Sequence, residues 1–333
     1  MTPQGSKNLE EAISTATVGK HGSRPLTKDL IKKCAFDIQA KKSTLVQEAV
    51  LFAGLLQQNQ KEILQSLWPN LFNEQNCFEY QRAFSYFHVP KELASLFEEL
   101  ITFRPLPKES ATKLARFLFT ASSTPQGNPA RALAASILRI RYATKEEYAI
   151  LYDEYMQTFP QAFQKATHQN KNILIISEPF DGVTHSHLVS LALKPFFQKK
   201  GFSPLYLCAD SSGPKYGINV KTLAVELKEN FVDSLESIDE ANFLDLANFS
   251  QEYAAWILLR QEMKKRPFLA TLEKITRPLE SSALITSAFH GPFLEKTVAI
   301  AEHAGYSFIA VIRKGREGTL TLSTAKESEA IVS

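Results

Sequence analysis

From residue 25 to about 159 the apolar positions recur every three and four residues, as in Leu26, Leu30, Ile31, Cys34 and Ile38, then Leu45, Val46, Val50, Leu51 and Leu55. That spacing stacks apolar side chains on one face of an α-helix. This half is expected to be helical, with about seven or eight helices. Breaks fall at Trp68-Pro69-Asn70, at Val89-Pro90, at Arg104-Pro105-Leu106-Pro107 and over SSTPQGNP at 122–129, because proline supplies no N–H to a helix interior. The last of these is expected to be a flexible joint. Ser43-Thr44 can cap one helix, and Thr144-Lys145-Glu146-Glu147 reads as a capping box that opens another.

After residue 171 the texture changes. Ile173-Leu174-Ile175-Ile176 is a continuous apolar, β-branched run, the mark of a strand buried on both faces of a sheet. Further strands are expected at 204–208, 283–286 and 308–312, with helices at 185–200, 219–229, 251–264 and 292–304. Strand and helix in alternation imply right-handed crossovers and a mainly parallel sheet. The expected fold class is α/β: a helical domain over 1–160, an α/β domain over 161–322 with helices flanking its sheet, and a loose polar tail over 323–333. Helices at about 250–277 could pack back on the helical domain. No internal repeat is present.

Composition narrows the classes. The chain has 333 residues, 44% hydrophobic and 22% charged, as in a folded protein with a core. Its 13 glycines are about 4% of residues against a usual value near 7%, which weighs against several glycine-lined phosphate loops. Cys34, Cys77 and Cys208 are far apart with no C-x-x-C pair, so neither a disulfide framework nor a cysteine-rich metal site is expected. No apolar run approaches the roughly 20 residues of a membrane span, and the start lacks a signal pattern; a cytoplasmic location with no membrane partner is expected.

The net charge is only +3, so any polyanion site must be a local patch. Two patches stand out. Residues 19–43 hold seven cations, Lys20 and Arg24 among them, against Asp29 and Asp37, a net +5. Residues 260–277 hold Arg260, Lys264, Lys265, Arg266, Lys274 and Arg277 against Glu262 and Glu273, a net +4. A solvated helix face explains the first patch as readily as a phosphate-backbone site does, whereas Arg260, one turn before a helix end and near three further cations, is poorly placed for a structural pair with Glu262, which favours a ligand-facing role for the second. His185-Ser186-His187 spaces its histidines two apart, unsuited to a shared metal on a helix, and His290 follows a strand end where it could reach a cleft. No Walker, G-x-S-x-G, H-E-x-x-H or G-x-G-x-x-G motif occurs.

The order of pieces, together with the run ANFSQEYAAWILLRQEMKKRPFLATLEKITRPL, resembles the anthranilate phosphoribosyltransferases. These are family-3 glycosyltransferases of the nucleoside phosphorylase class II fold, in which a helix ends in Arg-x-Glu and a following segment in Gly-Pro-Leu. Arg260-Gln261-Glu262 and Arg266 fall on the first, and Arg277-Pro278-Leu279 on the second. The likeness continues through HGPFLEKTVAIAEHAGYSFIAVIRKGREGTLTLS and covers roughly 14–42 and 128–323. Residues of about 43–126 look like an insertion enlarging the helical domain.

The resemblance implies a pentosyl (phosphoribosyl) transferase, but its key motifs are changed. The family's Gly-Thr-Gly-Gly-Asp loop for the diphosphate of phosphoribosyl pyrophosphate reads Glu178-Pro179-Phe180-Asp181-Gly182-Val183-Thr184 here, a degenerate loop keeping Asp181, Gly182 and Thr184 as its candidates. Its Lys-His-Gly-Asn-Arg is replaced by Leu207-Cys208-Ala209-Asp210, and its magnesium-holding Asp-Gly-Leu-Asp-Glu by Glu317-Gly318-Thr319-Leu320-Thr321. The opening Gly-Lys-x-Gly-Ser-Arg-Pro-Leu-Thr is similar to a side branch linked with nucleic-acid binding. Two readings follow. In the first, no cofactor or metal is bound, and a basic cleft between the domains holds nucleic acid through Lys20, Arg24, Arg260, Lys264, Lys265 and Arg266, with His290 and Glu317 as further cleft residues. In the alternative, phosphoribose is transferred with magnesium to an anionic acceptor oriented by Arg260, and Asp181, Asp210 or Glu317 supplies replacement carboxylates. A protein-holding scaffold is the third possibility. The family also implies a homodimer through the helical domain, for which the apolar faces around Leu51 and Leu55 are the candidates.

Overall fold

Four helices of the first half start where a side chain takes up an orphan backbone N–H. In the computed structural model, which describes residues 5–18, 22–161, 163, 172–234, 242–279, 283–322 and 327–333, Ser6 caps α1 (Lys7–Ala16) by accepting from the Leu9 amide at 3.1 Å. Thr27 caps α2 (Lys28–Gln39), and Thr44 with Gln47 makes a capping box on α3 (Leu45–Gln57). Short helices follow: α4 (Lys61–Leu67), α5 (Tyr80–Tyr86), α6 (Ala94–Leu100) and α7 (Lys108–Leu118). Then come α8 (Asn128–Ile140) and α9 (Lys145–Met156). The Thr144 box is present, with the Glu147 amide donating to Thr144 Oγ1 at 3.2 Å and the Thr144 amide to Glu147 at 2.8 Å. Glu147 also pairs with Arg141 at 2.5 Å and accepts from the Leu106 amide, tying three segments at one buried carboxylate.

Two compact units result: residues 1–147 with 258–268, and residues 148–257 with 269–333. The boundary lies near 147 rather than 160, and 258–268 belongs to the helical unit. In that unit α3 and α8 are buried along nearly their whole length, the pattern of core helices. α3 packs on α8 and α1, so residues assigned to the expected insertion supply the unit's central helix. At Gly54 a Cβ would lie 2.4 Å from Thr17 Cγ2, so glycine sets how closely α1 and α3 approach. Leu51 and Leu55 are 0% and 1% exposed; they are spent in this core and offer no face to a second copy, which corrects their expected use in a dimer.

The stretch 122–129, expected as a flexible joint, is pinned. The Arg131 guanidinium, fully buried, donates to the carbonyls of Phe117, Thr120 and Thr124 at 2.6–3.1 Å, to Thr120 Oγ1 and Asn128 Oδ1, and to Thr124 Oγ1. Glu48 plays a similar part nearby, accepting from Trp68 Nε1, Tyr86 Oη and Ser43 Oγ at 2.6–2.9 Å.

The second unit is built on a six-stranded sheet of order β3-β2-β1-β4-β5-β6. Its strands are β1 (Asn172–Ser177), β2 (Phe202–Cys208), β3 (Phe243–Asp245), β4 (Ala283–Ala288), β5 (Phe308–Arg313) and β6 (Glu329–Val332). β1 to β5 are parallel and β6 runs antiparallel along β5. The register sets Ile175 between Leu205 and Leu284, and the central strands are apolar on both faces, as their sequence predicts. Among the described residues the further helices are α10 (Lys194–Lys199), α11 (Val220–Glu226), α12 (Gln251–Met263), whose second half belongs to the helical unit, α13 (Leu269–Leu272) and α14 (Gly291–His303). β6 lies in the tail expected to be loose: its Ala330 and Ile331 pair with Ile312 and Val311.

The single helix expected at 185–200 is instead a 3-10 turn, Val189–Leu193, leading into α10. Pro195 stands in the first turn of α10 and cannot continue an earlier helix. Upstream, the amides of Thr184 and His185 are committed to a side chain from another loop. All three cysteines are free, and burial pushes the Cys34 thiol up to about 12. Among the described residues, no helix is long and apolar enough to cross a membrane.

Candidate functional site

Strand order reverses between β1 and β4, and in open parallel sheets the crevice beyond the strand ends at such a point is where ligands bind. The loop after β1 therefore carries the first interest. Glu178 is 1% exposed. Burial raises its pKa, against the Ser190 hydroxyl and the Leu320 amide, which donate to it at 2.7 and 2.9 Å. Pro179 contributes no N–H, and Phe180 and Asp181 are buried. Gly182 has φ +76°, and a Cβ there would lie 2.4 Å from the Gly217 carbonyl oxygen. Gly182→Ala is expected to cost about 2 kcal/mol or more by forcing the 182 and 217 backbones apart, measurable by urea denaturation.

Beyond Gly182 several donors converge on Glu317. Its carboxylate accepts from the His185 amide at 2.8 Å, the Thr184 amide at 3.2 Å, Thr184 Oγ1 at 3.0 Å, Ser186 Oγ at 2.9 Å and Lys215 Nζ at 3.1 Å. Partial burial works to raise its pKa, yet the His185 amide, Ser186, Lys215 and the Thr184 amide together hold it well below the usual carboxylate range. Thus Thr184 and Glu317, both predicted as site residues, meet directly, whereas Asp181 is buried and its backbone carbonyl accepts from the Gly217 amide at 3.0 Å and from Ser211 Oγ at 3.4 Å. His290 is exposed at the start of α14. Asp210, a candidate replacement carboxylate, is paired with Lys221 at 2.8 Å, which also holds Asp245 at 2.6 Å. Among the described residues, no group of three or more His, Cys, Asp or Glu side chains converges as a metal site.

The helical unit gathers the basic residues. Arg139, which nothing in the sequence singled out, donates to the carbonyls of Thr17 and Val18 at 2.7 and 3.1 Å, where α1 ends. Lys264, in the left-handed region at φ +56°, pairs with Glu10 of α1 at 3.1 Å. Burial lowers the Lys265 pKa to about 8, and the neighbouring Arg139 adds to the effect. The Arg24 amide donates to Thr15 at 3.0 Å while its side chain is exposed. Residues of both basic stretches thus lie against α1, Lys264 at its first turn and Arg24 near its end. Arg266 is partly exposed, and Lys20 lies outside the described residues. Arg260 is 1% exposed, which corrects its expected role, since a buried guanidinium does not touch a phosphate backbone. Arg277 is likewise structural: it donates to the Ala304 carbonyl and lies over Tyr306.

Sequence signals also missed a cavity of about 530 Å³ in the helical unit, lined by His88, Leu93, Lys113, Arg116 and Phe117. It lies within 88–127, where the sequence shows only proline breaks and scattered charges.

No family model matches the sequence. A stretch of 97 residues, 29% of the chain, is 31% identical to an uncharacterized protein of Aquifex aeolicus (strain VF5) and spans only 29% of that protein's length. Solved structures share the fold. Anthranilate phosphoribosyltransferase from Thermus thermophilus has a TM-score of 0.54 and 17% identity, over 71% of this chain and 72% of that one. The Saccharomyces cerevisiae enzyme in complex with 4-fluoroanthranilate has 0.51 and 12%, over 72% of each chain. The same enzyme in complex with PRPP and Mg has 0.50 and 10%, over 92% of this chain and 73% of that one. The fold is therefore α/β and like that of anthranilate phosphoribosyltransferase.

Proposed function

We propose that this chain keeps a phosphoribosyltransferase-like fold without its diphosphate and magnesium chemistry, and binds the phosphate backbone of nucleic acid through the basic surface of its helical unit. One observation carries the reading: cations from two separate stretches of sequence, exposed Arg24 and partly exposed Lys264, Lys265 and Arg266, belong to one unit, where burial and, secondly, nearby Arg139 lower the Lys265 pKa. Two neighbouring cations in reduced dielectric are unfavourable on their own and become favourable when an anion joins them. Lys264 and Arg266, partly exposed, and Arg24, exposed, add to the positive surface of this unit, while Arg260 stays inside as packing.

The loss of transferase chemistry is supported by the residues beyond β1 and β5. Pro179 and buried Glu178 stand where bare amides would meet a diphosphate, Leu320 and Thr321 lack carboxylates, and the Glu317 carboxylate is already held by its donors. These residues do not fit a magnesium-bound diphosphate.

The test is binding of a labelled oligonucleotide at two salt concentrations. Contacts to three or four phosphates predict an affinity falling roughly 40- to 150-fold between 50 and 200 mM salt. The double variant Lys264→Glu, Lys265→Glu should bind more weakly to every sequence alike and with a shallower salt slope. Affinity that ignores salt, or a double variant that binds as well as the parent, contradicts the reading.

A further inference from the structure

The two faces of α2 differ in chemistry. Leu30, Cys34 and Asp37 are buried, and the Asp37 carboxylate accepts from Ser6 Oγ and Asn8 Nδ2 at the start of α1. That inward turn takes its charge off the surface. The outer face and the turn after it expose Lys28, Lys32, Lys33, Lys41 and Lys42 against a single exposed acid, Asp29. Five cations against one acid leave this face a net +4. Asp29 pairs with Lys33 at 2.7 Å, and an exposed pair of this kind is held weakly enough to yield to a stronger anion.

Phe36 stands among these cations. It is 60% exposed, more than any other phenylalanine or tyrosine of the described residues. Lys32 and Lys33 precede it by four and three positions, one turn away on the same helical face, and Lys42 Nζ lies 4.8 Å from the centre of its ring. A ring left in water adds little burial to the fold that carries it. Its complement is a flat apolar ring joined to a polyanion, which is the chemistry of an unpaired nucleotide: phosphate for the lysines and a base face for the phenyl ring. A duplex offers only the phosphates, because its bases are stacked on one another.

We propose that the outer face of α2 binds single-stranded nucleic acid, with Phe36 stacking on an unpaired base while Lys32, Lys33 and Lys42 meet the flanking phosphates. The inference rests on the nucleic-acid reading above and adds which form of strand is preferred and which residue senses it. The face belongs to the same unit as Lys264 and Lys265.

The experiment measures binding of the full chain to labelled oligothymidylate and to a blunt duplex of equal length, for the parent, Phe36→Ala, Phe36→Leu and Phe36→Trp. Phe36→Ala should weaken single-strand binding by about fivefold or more, the lower end of what one base–aromatic stack supplies, and should leave duplex affinity within about twofold of the parent's. Phe36→Leu, apolar but without a flat ring, should lose as much, whereas Phe36→Trp should bind single strands at least as tightly as the parent. The salt slope should be the same in all four proteins, since no charge is removed. A parent whose single-strand binding weakens with salt, alongside a Phe36→Ala variant that binds as well, overturns the proposal and leaves the nucleic-acid reading standing. An equal loss on duplex also overturns it. A lower molecular mass of Phe36→Ala by light scattering would assign this face to a second copy of the chain and overturn it too. A parent that binds neither oligonucleotide at low salt overturns both readings.

Discussion

Arg131→Met is expected to destabilise the helical unit by about 3–5 kcal/mol, among the larger effects of any single change in this protein. Methionine fills much of the volume but donates nothing. The carbonyls of Phe117, Thr120 and Thr124 then lose a charged donor in a place with no exposure. The damage should be local first: the 118–128 segment loosens and the cavity beside Phe117 changes shape. Trp68, 0% exposed against Phe52 in the same unit, reports the transition by fluorescence in urea. Arg131→Lys should recover only a small part, because one ammonium cannot span carbonyls that the guanidinium reaches with three nitrogens.

Lys265→Met works in the opposite direction on stability while weakening function. The folded Lys265 has its pKa lowered to about 8 from a usual 10.5. Below pH 8 the side chain is charged in both folded and unfolded chains, and the folded state bears the full cost of burying that charge beside Arg139. Between about 8 and 10.5 the unfolded chain holds a proton that the folded chain has released, so stability rises with pH across that window. The parent protein should therefore gain stability from pH 7 to 10 through this group. Lys265→Met should be more stable than the parent at pH 7 and lose its advantage as the pH climbs. Its oligonucleotide affinity should fall several-fold at pH 7. Parental affinity should itself weaken above pH 8, because an anion binds the charged form. Melting curves and binding isotherms at pH 7, 8 and 9 check both limbs.

Much of the fold is legible because its signals are local. The Thr144 box needs only a threonine and a glutamate three apart, and the β1 run Ile173–Ile176 announces a doubly buried strand on its own. β3 is three residues long and β6 four, so neither is long enough to carry a period to detect; each exists because a neighbouring strand edge offers it hydrogen bonds. The expected 185–200 helix has the right apolar spacing, but the spacing cannot show that two of its amides are claimed by a residue more than 130 positions away. Proline and glycine at 122–129 suggest looseness, and only tertiary contact with Arg131 reveals the opposite.

The candidate site divides in the same way. Charge density along the chain points to 19–43 and 260–277, and both contribute contacts to α1, through the Arg24 amide and Lys264, although Arg260 turns inward. Arg139 carries no local signal: it is one cation on a core helix, and its importance comes from lying beside Lys265. The altered loops after β1 and β5 are readable as changes of residue type. That one of them supplies the acid which the other binds is a property of the fold alone.

The central claim is that this fold holds a polyanion rather than a magnesium-bound sugar diphosphate. The most direct measurement titrates the purified chain with a labelled oligonucleotide and, in parallel, with phosphoribosyl pyrophosphate plus magnesium, each at low and physiological salt. Oligonucleotide binding is expected to weaken steeply with salt, with no magnesium-dependent binding of phosphoribosyl pyrophosphate at millimolar concentration. Magnesium-dependent binding of phosphoribosyl pyrophosphate alongside an oligonucleotide arm that stays silent would contradict the claim.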